Sequence, residues 1–355
     1  MTLDAELPRS AASPRRIVIE LTNTCNLHCS YCLRDEEALY RARARFFPIE
    51  LLRRILHEAR EAAGVSHVSF TGGEPTLHPK LGEVLAAVGA EGMRASLVTN
   101  GWHIDRVWPA LDANRSALSV VAFSVDGASR ETHDRWRGSG SFDRVIRGIT
   151  RCRMGGIPFV VKAVLRRDTA PLIQEIALLA ARMDAEALHW SHVLPSSGDV
   201  EAGSAMSLEE RAHAEQEIAL LRRILKMPVA LDVGYVNLDP APPCAPLQGA
   251  SFSVDYRGRL SLCCNMSGFR GAAEEPDVVA DLNREGFAAA YSRVQRLASE
   301  QVARRAAALA AMAARGPEVE LGTGSPCLFC LRTFGKTPWQ QPAASSETDG
   351  RLDPV

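Results

Sequence analysis

The sequence predicts an α/β fold in which a partial, TIM-like (β/α)6 barrel precedes a small cysteine-rich C-terminal domain. Before residue 228, six short segments rich in β-branched and apolar residues alternate with amphipathic segments. Such alternation is typical of parallel strands joined by right-handed helical crossovers. The alternation ends near Pro228, and the proline-rich residues 239–243 indicate a linker or domain edge.

The barrel elements follow from local hydrophobic patterns. Strands are predicted where β-branched and apolar residues cluster, at residues 16–21, 67–71, 95–99, 117–124, 159–165 and 187–192. Helices are predicted where apolar residues recur three and four positions apart, as they do at Leu51, Leu52, Ile55, Leu56 and Ala59. The predicted helices are residues 49–62, 81–90, 105–111, 142–154, 171–183 and, after a longer run, 208–225.

The remaining elements belong to the predicted C-terminal domain. A hairpin is expected from strands at 251–255 and 260–263, and a long Ala- and Arg-rich helix at 285–315. The predicted organisation is therefore a flexible lead, a barrel, a small cysteine-rich domain and a disordered tail, at residues 1–14, 15–235, 236–335 and 336–355. The tail is assigned as disordered because its polar and proline-rich composition has no hydrophobic period.

Composition excludes several classes of protein. The 355 residues carry 41 Lys and Arg against 42 Asp and Glu, a balance that predicts no nucleic-acid partner. No apolar run is long enough to cross a membrane, and the N-terminus lacks the apolar core of a secretory signal. We therefore expect a cytoplasmic protein with no membrane partner. Its nine cysteines are clustered, which in such a chain favours metal binding over disulfides.

Three of these cysteines follow the first predicted strand in one loop. Cys25, Cys29 and Cys32 have the spacing Cx3Cx2C. Three thiolates in one loop can ligate three irons of a cubic iron–sulfur cluster and leave the fourth iron open to another molecule. A structural zinc site instead needs four ligands in two pairs. His28 lies in the same loop and is the alternative fourth ligand.

Candidate ligand-binding residues follow the next predicted strands. Gly72, Gly73 and Glu74 come directly after the second strand. Paired glycines allow positive φ and close approach of a ligand to the backbone, and the adjacent carboxylate can pair with an ammonium group. The alternative is a glycine turn in which Glu74 caps the next helix. Asn100 follows the third strand, at the edge where barrel loops form an active face.

The cysteine loop resembles the cluster-binding signature of the radical S-adenosylmethionine (radical SAM) superfamily, and the resemblance covers residues 16–335. It implies a 4Fe–4S cluster on the three loop cysteines, with Gly72, Gly73 and Glu74 at the amino group of SAM.

The segment from Ser124 to Phe142 resembles the radical SAM subgroup that carries C-terminal auxiliary clusters. In that subgroup a serine and a downstream arginine help to bind SAM, a role that falls here on Ser124 and Arg137. Asn100 and Asp126 are the second choices. For each of these residues, a role in a turn or a helix cap is the alternative.

The remaining cysteines are predicted to hold a second metal centre. The spacing Cys244-x13-Gly258-x4-Cys263 resembles the start of a SPASM domain, and Cys327 and Cys330 supply a further CxxC pair. Because a full SPASM pattern has seven cysteines, the match is better to the shortened twitch form with one auxiliary 4Fe–4S cluster. Two alternatives stay open: zinc instead of iron–sulfur, and Cys264 instead of Cys263.

The resemblance implies reductive cleavage of SAM to a 5′-deoxyadenosyl radical, which abstracts a substrate hydrogen while the auxiliary cluster takes an electron. We expect oxidation or cross-linking of a ribosomal peptide, a protein or a natural product. The alternatives are dehydrogenation of a small aminocyclitol-like alcohol, and a non-catalytic iron–sulfur carrier or scaffold.

Partners follow from the same resemblance. We expect an electron donor such as flavodoxin or ferredoxin. Because only about 15 residues precede the first strand, far below the size of a domain, a peptide substrate would need a separate leader-recognition protein. His189 and His192 flank Trp190 on the sixth strand and are either substrate contacts or satisfied core histidines.

Overall fold

The computed structural model describes residues 15–34, 36–195, 205–270 and 276–337. Within these ranges ten strands form one sheet in the order β10-β9-β8-β1-β2-β3-β4-β5-β6-β7. The strands are β1 Arg15–Glu20, β2 Val65–Thr71, β3 Arg94–Thr99, β4 Leu118–Ser124, β5 Phe159–Leu165, β6 Leu188–His192, β7 Val229–Val233, β8 Ser251–Val254, β9 Arg259–Ser261 and β10 Val278–Asp281.

Helices occupy the connections between strands. They are α1 Ile49–Ala63, α2 Leu81–Ala90, α3 Ile104–Ala113, α4 Arg130–Arg137, α5 Ser141–Gly155, α6 Ile173–Arg182, α7 Leu208–Ile224, α8 Phe287–Arg315, α9 Leu321–Gly324 and α10 Pro326–Thr333. Strands β1 to β7 pair in parallel, each with the next. This arrangement confirms the predicted α/β class and the partial TIM-like barrel.

The barrel sheet extends further than the sequence predicts, because β7 adds a seventh parallel strand. Its Leu231 pairs with Trp190 of β6. Because this five-residue strand includes Asp232, its apolar pattern is too weak for the sequence to predict a strand there. The structure also adds α4, which is mostly polar, and β10, which has only four residues, so neither carries a clear hydrophobic period.

The C-terminal segment joins the barrel edge. The predicted hairpin is present as β8 and β9, in which Val254 pairs with Leu260. Strand β8 also pairs in parallel with β1, where Val254 lies opposite Ile19. The cysteine-rich segment therefore continues the barrel sheet. The long helix α8 begins two residues later than predicted, at Phe287.

The two chain termini are only partly described. Residues 1–14 and 338–355 lie outside the described ranges, and so do the whole predicted flexible lead and all but the first two residues of the predicted disordered tail. Lys336 and Thr337, which the sequence placed in the tail, are fully buried. The Nζ atom of Lys336 lies 2.8 Å from Oδ1 of Asp277 in a buried ion pair, so the packed chain extends past the predicted boundary.

The sheet has an outer face under the helices and an inner face lined by polar groups. A Cβ atom at Gly148 of α5 would lie 3.1 Å from Phe123, which places Phe123 on the helix-covered face. Ser124 is the next residue along β4, so it points to the opposite face. Lys162 pairs with Ser124 in the sheet register and is only partly buried. In the described chain, no helix has both the length and the apolarity needed to cross a membrane.

Candidate functional site

The cysteine loop leaves β1 and is held by side-chain contacts to the segment that follows it. The amide nitrogen of Asn23 donates to the carbonyl of Ala38 at 2.8 Å and of Arg43 at 3.2 Å, and its oxygen accepts from the backbone of Arg45 at 2.7 Å. Within the loop, the backbone N–H of Leu27 donates to Sγ of Cys25 at 3.5 Å. The loop conformation is therefore fixed by this chain's own hydrogen bonds.

The three loop thiols fit a polynuclear cluster. The pKa of Cys25 is raised to about 12, chiefly by burial; Glu74, Cys29 and Cys32 contribute to the rise and the N–H of Leu27 opposes it. The three thiols are thus electrostatic neighbours, and all are free. Among the described residues no three His, Cys, Asp or Glu side chains converge on one metal ion. Cluster thiolates ligate different irons, so they do not need to converge on one point.

His28, the alternative fourth ligand, is exposed. Its ring stacks on Tyr40 with centroids 3.7 Å apart. The Tyr40 hydroxyl donates to the carbonyl of Leu27 at 2.8 Å. His28 therefore contacts the segment that braces the loop.

The two glycines after β2 allow the backbone of the cysteine loop to pass. Gly72 has φ of 125°, and a Cβ atom on it would lie 2.5 Å from the carbonyl oxygen of Thr22. A Cβ atom on Gly73 would lie 2.0 Å from the carbonyl oxygen of Thr24. The N–H of Gly73 donates to Thr22 at 2.9 Å and that of Glu74 donates to Thr24 at 2.8 Å. The sequence attributed the glycines to a ligand, but the structure shows that the chain itself already requires them.

The Glu74 carboxylate is buried and fully hydrogen-bonded within the chain. Its Oε1 accepts from the N–H and hydroxyl of Thr76 at 3.0 and 2.6 Å, and from the hydroxyl of Thr99 at 2.7 Å. Its Oε2 accepts from the N–H of Asn100 at 2.8 Å. Burial raises the pKa of Glu74, although these hydrogen bonds oppose the shift. Glu74 therefore caps the short turn at Pro75–Leu77 and ties it to the end of β3.

Asn100 lies against the cysteine loop. Its Nδ2 donates to Oδ1 of Asn26 at 3.0 Å and lies 4.0 Å from Sγ of Cys25. Its Oδ1 accepts from the N–H of Trp102 at 3.0 Å. The structure thus brings this predicted site residue next to the first predicted cluster ligand.

Asp126 and Arg137 form a buried ion pair that also reaches the cysteine loop. Nε of Arg137 lies 2.5 Å from Oδ2 of Asp126, and the hydroxyl of Tyr31 donates to the same oxygen. Oδ1 accepts from the N–H of Val164 at 2.8 Å. Burial opposes ionisation of Asp126, but Arg137 and Tyr31 lower its pKa below the ordinary value.

The sequence did not single out Tyr31 or Arg166 as site residues. The guanidinium of Arg166, just beyond β5, lies 4.5 Å from the ring centre of Tyr31 and 3.5 Å from that of Trp136. Arg166 is buried and its Nε has no hydrogen-bond partner in the described chain. The only sequence signal was that Tyr31 lies between Cys29 and Cys32.

A polar cluster on the inner face of the barrel was also missed. Nζ of Lys162 on β5 lies 3.1 Å from Oδ2 of Asp232 on β7. The hydroxyl of Ser191 donates to Oδ1 of Asp232 at 2.7 Å, and Nδ1 of His189 lies 3.7 Å from Oδ2. Burial opposes ionisation of Asp232, but Lys162, Ser191 and His189 lower its pKa. These residues come from three strands, β5, β6 and β7, so no contiguous motif could indicate the cluster.

The two candidate histidines of β6 differ in environment. His189 is half-buried beside Asp232 on the inner face. His192 is fully buried, and its Nε2 lies 3.0 Å from Oε1 of Glu215 on α7. Burial lowers the pKa of both imidazoles. His192 is therefore partnered in the core, whereas His189 faces the barrel interior.

The C-terminal cysteines lie together from distant parts of the chain. The pKa values of Cys327 and Cys330 are raised to about 12, chiefly by burial, and Cys244 contributes to both shifts. The N–H of Gly234 donates to Sγ of Cys327 at 3.3 Å, and Nε2 of Gln301 donates to Sγ of Cys330 at 3.7 Å. Both cysteines lie on α10, one helical turn apart.

Cys263 and Cys264 are neighbours in the chain. The interaction between their thiols raises the pKa of Cys263 and lowers that of Cys264. Cys244 adds to the shift at Cys263, whereas Cys264 acts on Cys327 and lies near Lys162. Both thiols thus adjoin the C-terminal group. Cys152 is fully buried in the hydrophobic core among apolar residues, as expected of an ordinary core thiol.

Comparison with known proteins finds a matching family model and several relatives. Residues 19–179 match the model of the radical SAM superfamily. The chain is 27% identical to the AdoMet-dependent heme synthase of Oleidesulfovibrio alaskensis, over 59% of this chain and 53% of that protein. It is 30% identical to mycofactocin maturase MftC of Mycobacterium tuberculosis, over 51% of this chain and 45% of that protein. The chain therefore spans about half the length of these curated relatives.

The fold is similar to that of solved structures. SuiB of Streptococcus suis bound to S-adenosylmethionine superposes with a TM-score of 0.64 at 15% identity, over 79% of this chain and 68% of that chain. SuiB bound to the precursor peptide SuiA superposes with a TM-score of 0.63 at 16% identity, over 79% and 66% of the two chains. At such low identity the similarity establishes the fold.

Proposed function

We propose that this chain, whose residues 19–179 match the model of the radical SAM superfamily, cleaves SAM reductively and oxidises or cross-links a peptide or protein side chain. The observation that carries the proposal is the meeting of three separate segments at one edge of the sheet. The cysteine loop contacts Asn100 through Cys25, and contacts the Asp126–Arg137 pair through Tyr31. An iron–sulfur protein that only carried electrons would not require this second set of polar groups.

The proposed cluster ligands are Cys25, Cys29 and Cys32. When bound, the cluster and SAM would supply a 5′-deoxyadenosyl radical for hydrogen abstraction. The chain's own part is to hold the loop in place through Asn23 and Tyr31. It also places the backbone of Gly72 and Gly73 directly against the loop.

We assign the remaining SAM contacts by chemistry. Arg137 binds Asp126 through Nε, and Asp126 is its only hydrogen-bond acceptor in the described chain, so its terminal nitrogens are available for the SAM carboxylate. Ser124 ends β4 on the inner face and is placed for the same ligand. Because the Glu74 carboxylate already accepts four hydrogen bonds, we assign the amino-group contact chiefly to the backbone around Gly72 and Gly73, with Glu74 fixing that backbone.

An auxiliary 4Fe–4S cluster on the C-terminal cysteines is the second part of the proposal. Cys244, Cys327 and Cys330 are electrostatic neighbours, and Cys263 or Cys264 is the fourth ligand. The polar cluster of Lys162, His189 and Asp232 lies on the inner face near Cys264. We assign substrate contact to this polar cluster.

The substrate class rests on the relatives. One relative is named a maturase of mycofactocin, and a structure of similar fold holds a precursor peptide. We therefore propose a peptide substrate, and the proposed cluster additionally needs an electron donor such as flavodoxin or ferredoxin.

The test is the yield of 5′-deoxyadenosine from anaerobically reconstituted enzyme reduced with dithionite. Host extract is divided by a small-pore filter and each fraction is added separately. Stimulation by the retained fraction supports a peptide or protein substrate. Stimulation by the filtrate alone would instead support the small-molecule alcohol dehydrogenase. If iron-loaded enzyme forms no 5′-deoxyadenosine with either fraction, the enzymatic proposal is wrong.

A further inference from the structure

A basic groove lies at the rim of the barrel, beside the cysteine loop. We call it the arginine groove and define it by Arg43, Arg45, Phe46, Tyr256 and Arg257, which line a cavity of about 560 Å³. One wall is the exposed segment that follows the cysteine loop. The other wall is the turn between β8 and β9, which lies at the carboxyl end of β8 and therefore beside the end of β1.

Hydrogen bonds hold the backbone of one wall of the arginine groove, whereas two of its arginine side chains have no polar partner among the described residues. The backbones of Arg43 and Arg45 bind the side chain of Asn23, and the carbonyl of Arg45 also accepts from the hydroxyl of Thr22 at 2.7 Å. Both arginines are exposed. In the ranges that the structure describes, neither guanidinium has an ion pair or hydrogen bond. Arg257 lies over the ring of Tyr256, 5.2 Å from its centre.

The groove concentrates positive charge in a chain whose charges are otherwise nearly balanced. The whole sequence has a net charge of −1, and some exposed arginines elsewhere pair with carboxylates, as Arg130 does with Asp143. Arg43 and Arg45, exposed beside the rings of Phe46 and Tyr256, favour an acidic protein surface, because opposite charges steer association and fix the orientation of the partners.

The position of the groove indicates what the acidic partner does. Asn23, which holds the groove segment, lies two residues before Cys25. Tyr40 of the same segment stacks on His28 within the cysteine loop. A protein docked in the groove is therefore adjacent to the proposed cluster, which is what an electron donor requires.

We propose that the arginine groove is the docking site of an acidic one-electron donor protein of the flavodoxin or ferredoxin class. The transfer moves one electron: the reduced donor loses it, and the cluster held by Cys25, Cys29 and Cys32 gains it. The proposal rests on the proposed function, because it assumes a cluster on that loop. It goes further in assigning donor recognition to Arg43, Arg45 and Arg257.

The test compares a protein donor with a chemical one. Arg43→Glu/Arg45→Glu is assayed for 5′-deoxyadenosine with flavodoxin, reduced by NADPH and flavodoxin reductase, and separately with dithionite. We expect kcat/KM for flavodoxin to fall about tenfold or more, and the dithionite rate to stay within about twofold. Added salt should slow the flavodoxin reaction of the wild type more than that of the variant.

The matched control is Arg147→Glu/Arg182→Glu, which makes the same change in charge on exposed helical residues of α5 and α6. The proposal is overturned if the control loses as much flavodoxin activity as the groove variant, or if the dithionite rate falls in parallel. An unchanged flavodoxin rate together with loss of stimulation by peptide would assign the groove to an acidic peptide and would also overturn it.

Binding is measured independently of turnover. The affinity of iron-loaded protein for fluorescently labelled flavodoxin is compared between the wild type and Arg43→Glu/Arg45→Glu. A wild type that forms no 5′-deoxyadenosine with dithionite would contradict the proposed function alone. In that case equal flavodoxin affinity of the two proteins would still overturn the groove proposal, and a loss of about tenfold would support it.

Discussion

The hydroxyl of Tyr31 donates a hydrogen bond to the carboxylate of Asp126. Tyr31 lies between Cys29 and Cys32, and Asp126 lies just after β4, so one contact joins the predicted cluster loop to the predicted SAM contacts. The carboxylate is buried and also binds Arg137 at 2.5 Å. The proposed cluster loop and the proposed SAM contacts therefore share one polar network, in which a change at one point is felt at the other.

Tyr31→Phe removes the hydroxyl and leaves the rest of the ring in place. We expect the free energy of unfolding to fall by about 1–2 kcal/mol, because a buried carboxylate loses one donor. Iron retention under a chelator should also fall, since the loop is less firmly held. Urea unfolding and iron release measure the two effects. Tyr291→Phe, which removes an exposed hydrogen bond on α8, is the control, and an equal effect there would contradict the role of Tyr31.

Gly73→Ala tests the close passage of the cysteine loop. The new methyl group would lie 2.0 Å from the carbonyl oxygen of Thr24, so the loop has to move. We expect loss of cluster incorporation, measured by the iron-to-protein ratio and the visible absorption spectrum. The control is Gly82→Ala in α2, where the nearest atom would be 3.6 Å away and stability should rise by roughly 0.5–1 kcal/mol. Normal iron loading of Gly73→Ala would refute the argument.

Glu74→Gln tests whether this side chain binds SAM directly or fixes the neighbouring backbone. Its carboxylate accepts hydrogen bonds from Thr76, Thr99 and Asn100, and an amide cannot accept with both ends. We expect apo-protein stability to fall by about 1–3 kcal/mol, together with weaker binding of SAM. If SAM affinity falls while unfolding of the apo-protein is unchanged, Glu74 is a ligand residue rather than a residue that fixes the backbone.

Single substitutions decide between the two adjacent cysteines. Cys263→Ser and Cys264→Ser are each made in a protein that lacks the first cluster through Cys25→Ser/Cys29→Ser/Cys32→Ser. The spacing from Gly258 predicts that Cys263→Ser loses the auxiliary cluster and that Cys264→Ser retains it. Iron and sulfide content and electron paramagnetic resonance of the reduced proteins provide the readout. The reverse result would assign the ligand to Cys264, which acts on Cys327.

The raised thiol pKa values predict that cluster assembly depends on pH. Cys25, Cys327 and Cys330 have pKa values of about 12, so they are protonated at neutral pH and must release protons to bind iron. Apparent iron affinity should therefore rise with pH, by about tenfold per pH unit for each proton released. Anaerobic iron titrations at about pH 7 and pH 8 would measure the rise.

Cys152 provides the control for the pH experiment. Burial raises its pKa to about 12 as well, but it lies in the core and is not a predicted ligand. Cys152→Ser should leave the pH dependence of iron uptake unchanged. A flat pH profile in the wild type would show that the thiols are already ionised before the metal binds.

The sequence by itself determined the class of the fold and the contiguous motifs. The βα alternation depends on local hydrophobic periods, which the chain carries within each segment. The Cys25 loop and Gly72-Gly73-Glu74 are contiguous in sequence, so their types and spacing were readable. The hairpin of β8 and β9 was readable for the same reason, because its turn and both strands lie within about a dozen residues.

Tertiary structure decided which of these segments meet. Tyr31 and Asp126 are 95 positions apart in the chain, and Lys162 and Asp232 are 70 apart, so no local pattern encodes either contact. The pairing of β8 with β1 similarly brings Tyr256 and Arg257 beside Arg43 and Arg45. The sequence also could not show that the Glu74 carboxylate already accepts hydrogen bonds within the chain, because the donors come from the ends of two strands. Burial of the helix-covered apolar face fixes the positions of the strands in the sheet. The positions of the polar side chains on the inner face follow from that packing, so their contacts form only in the folded protein.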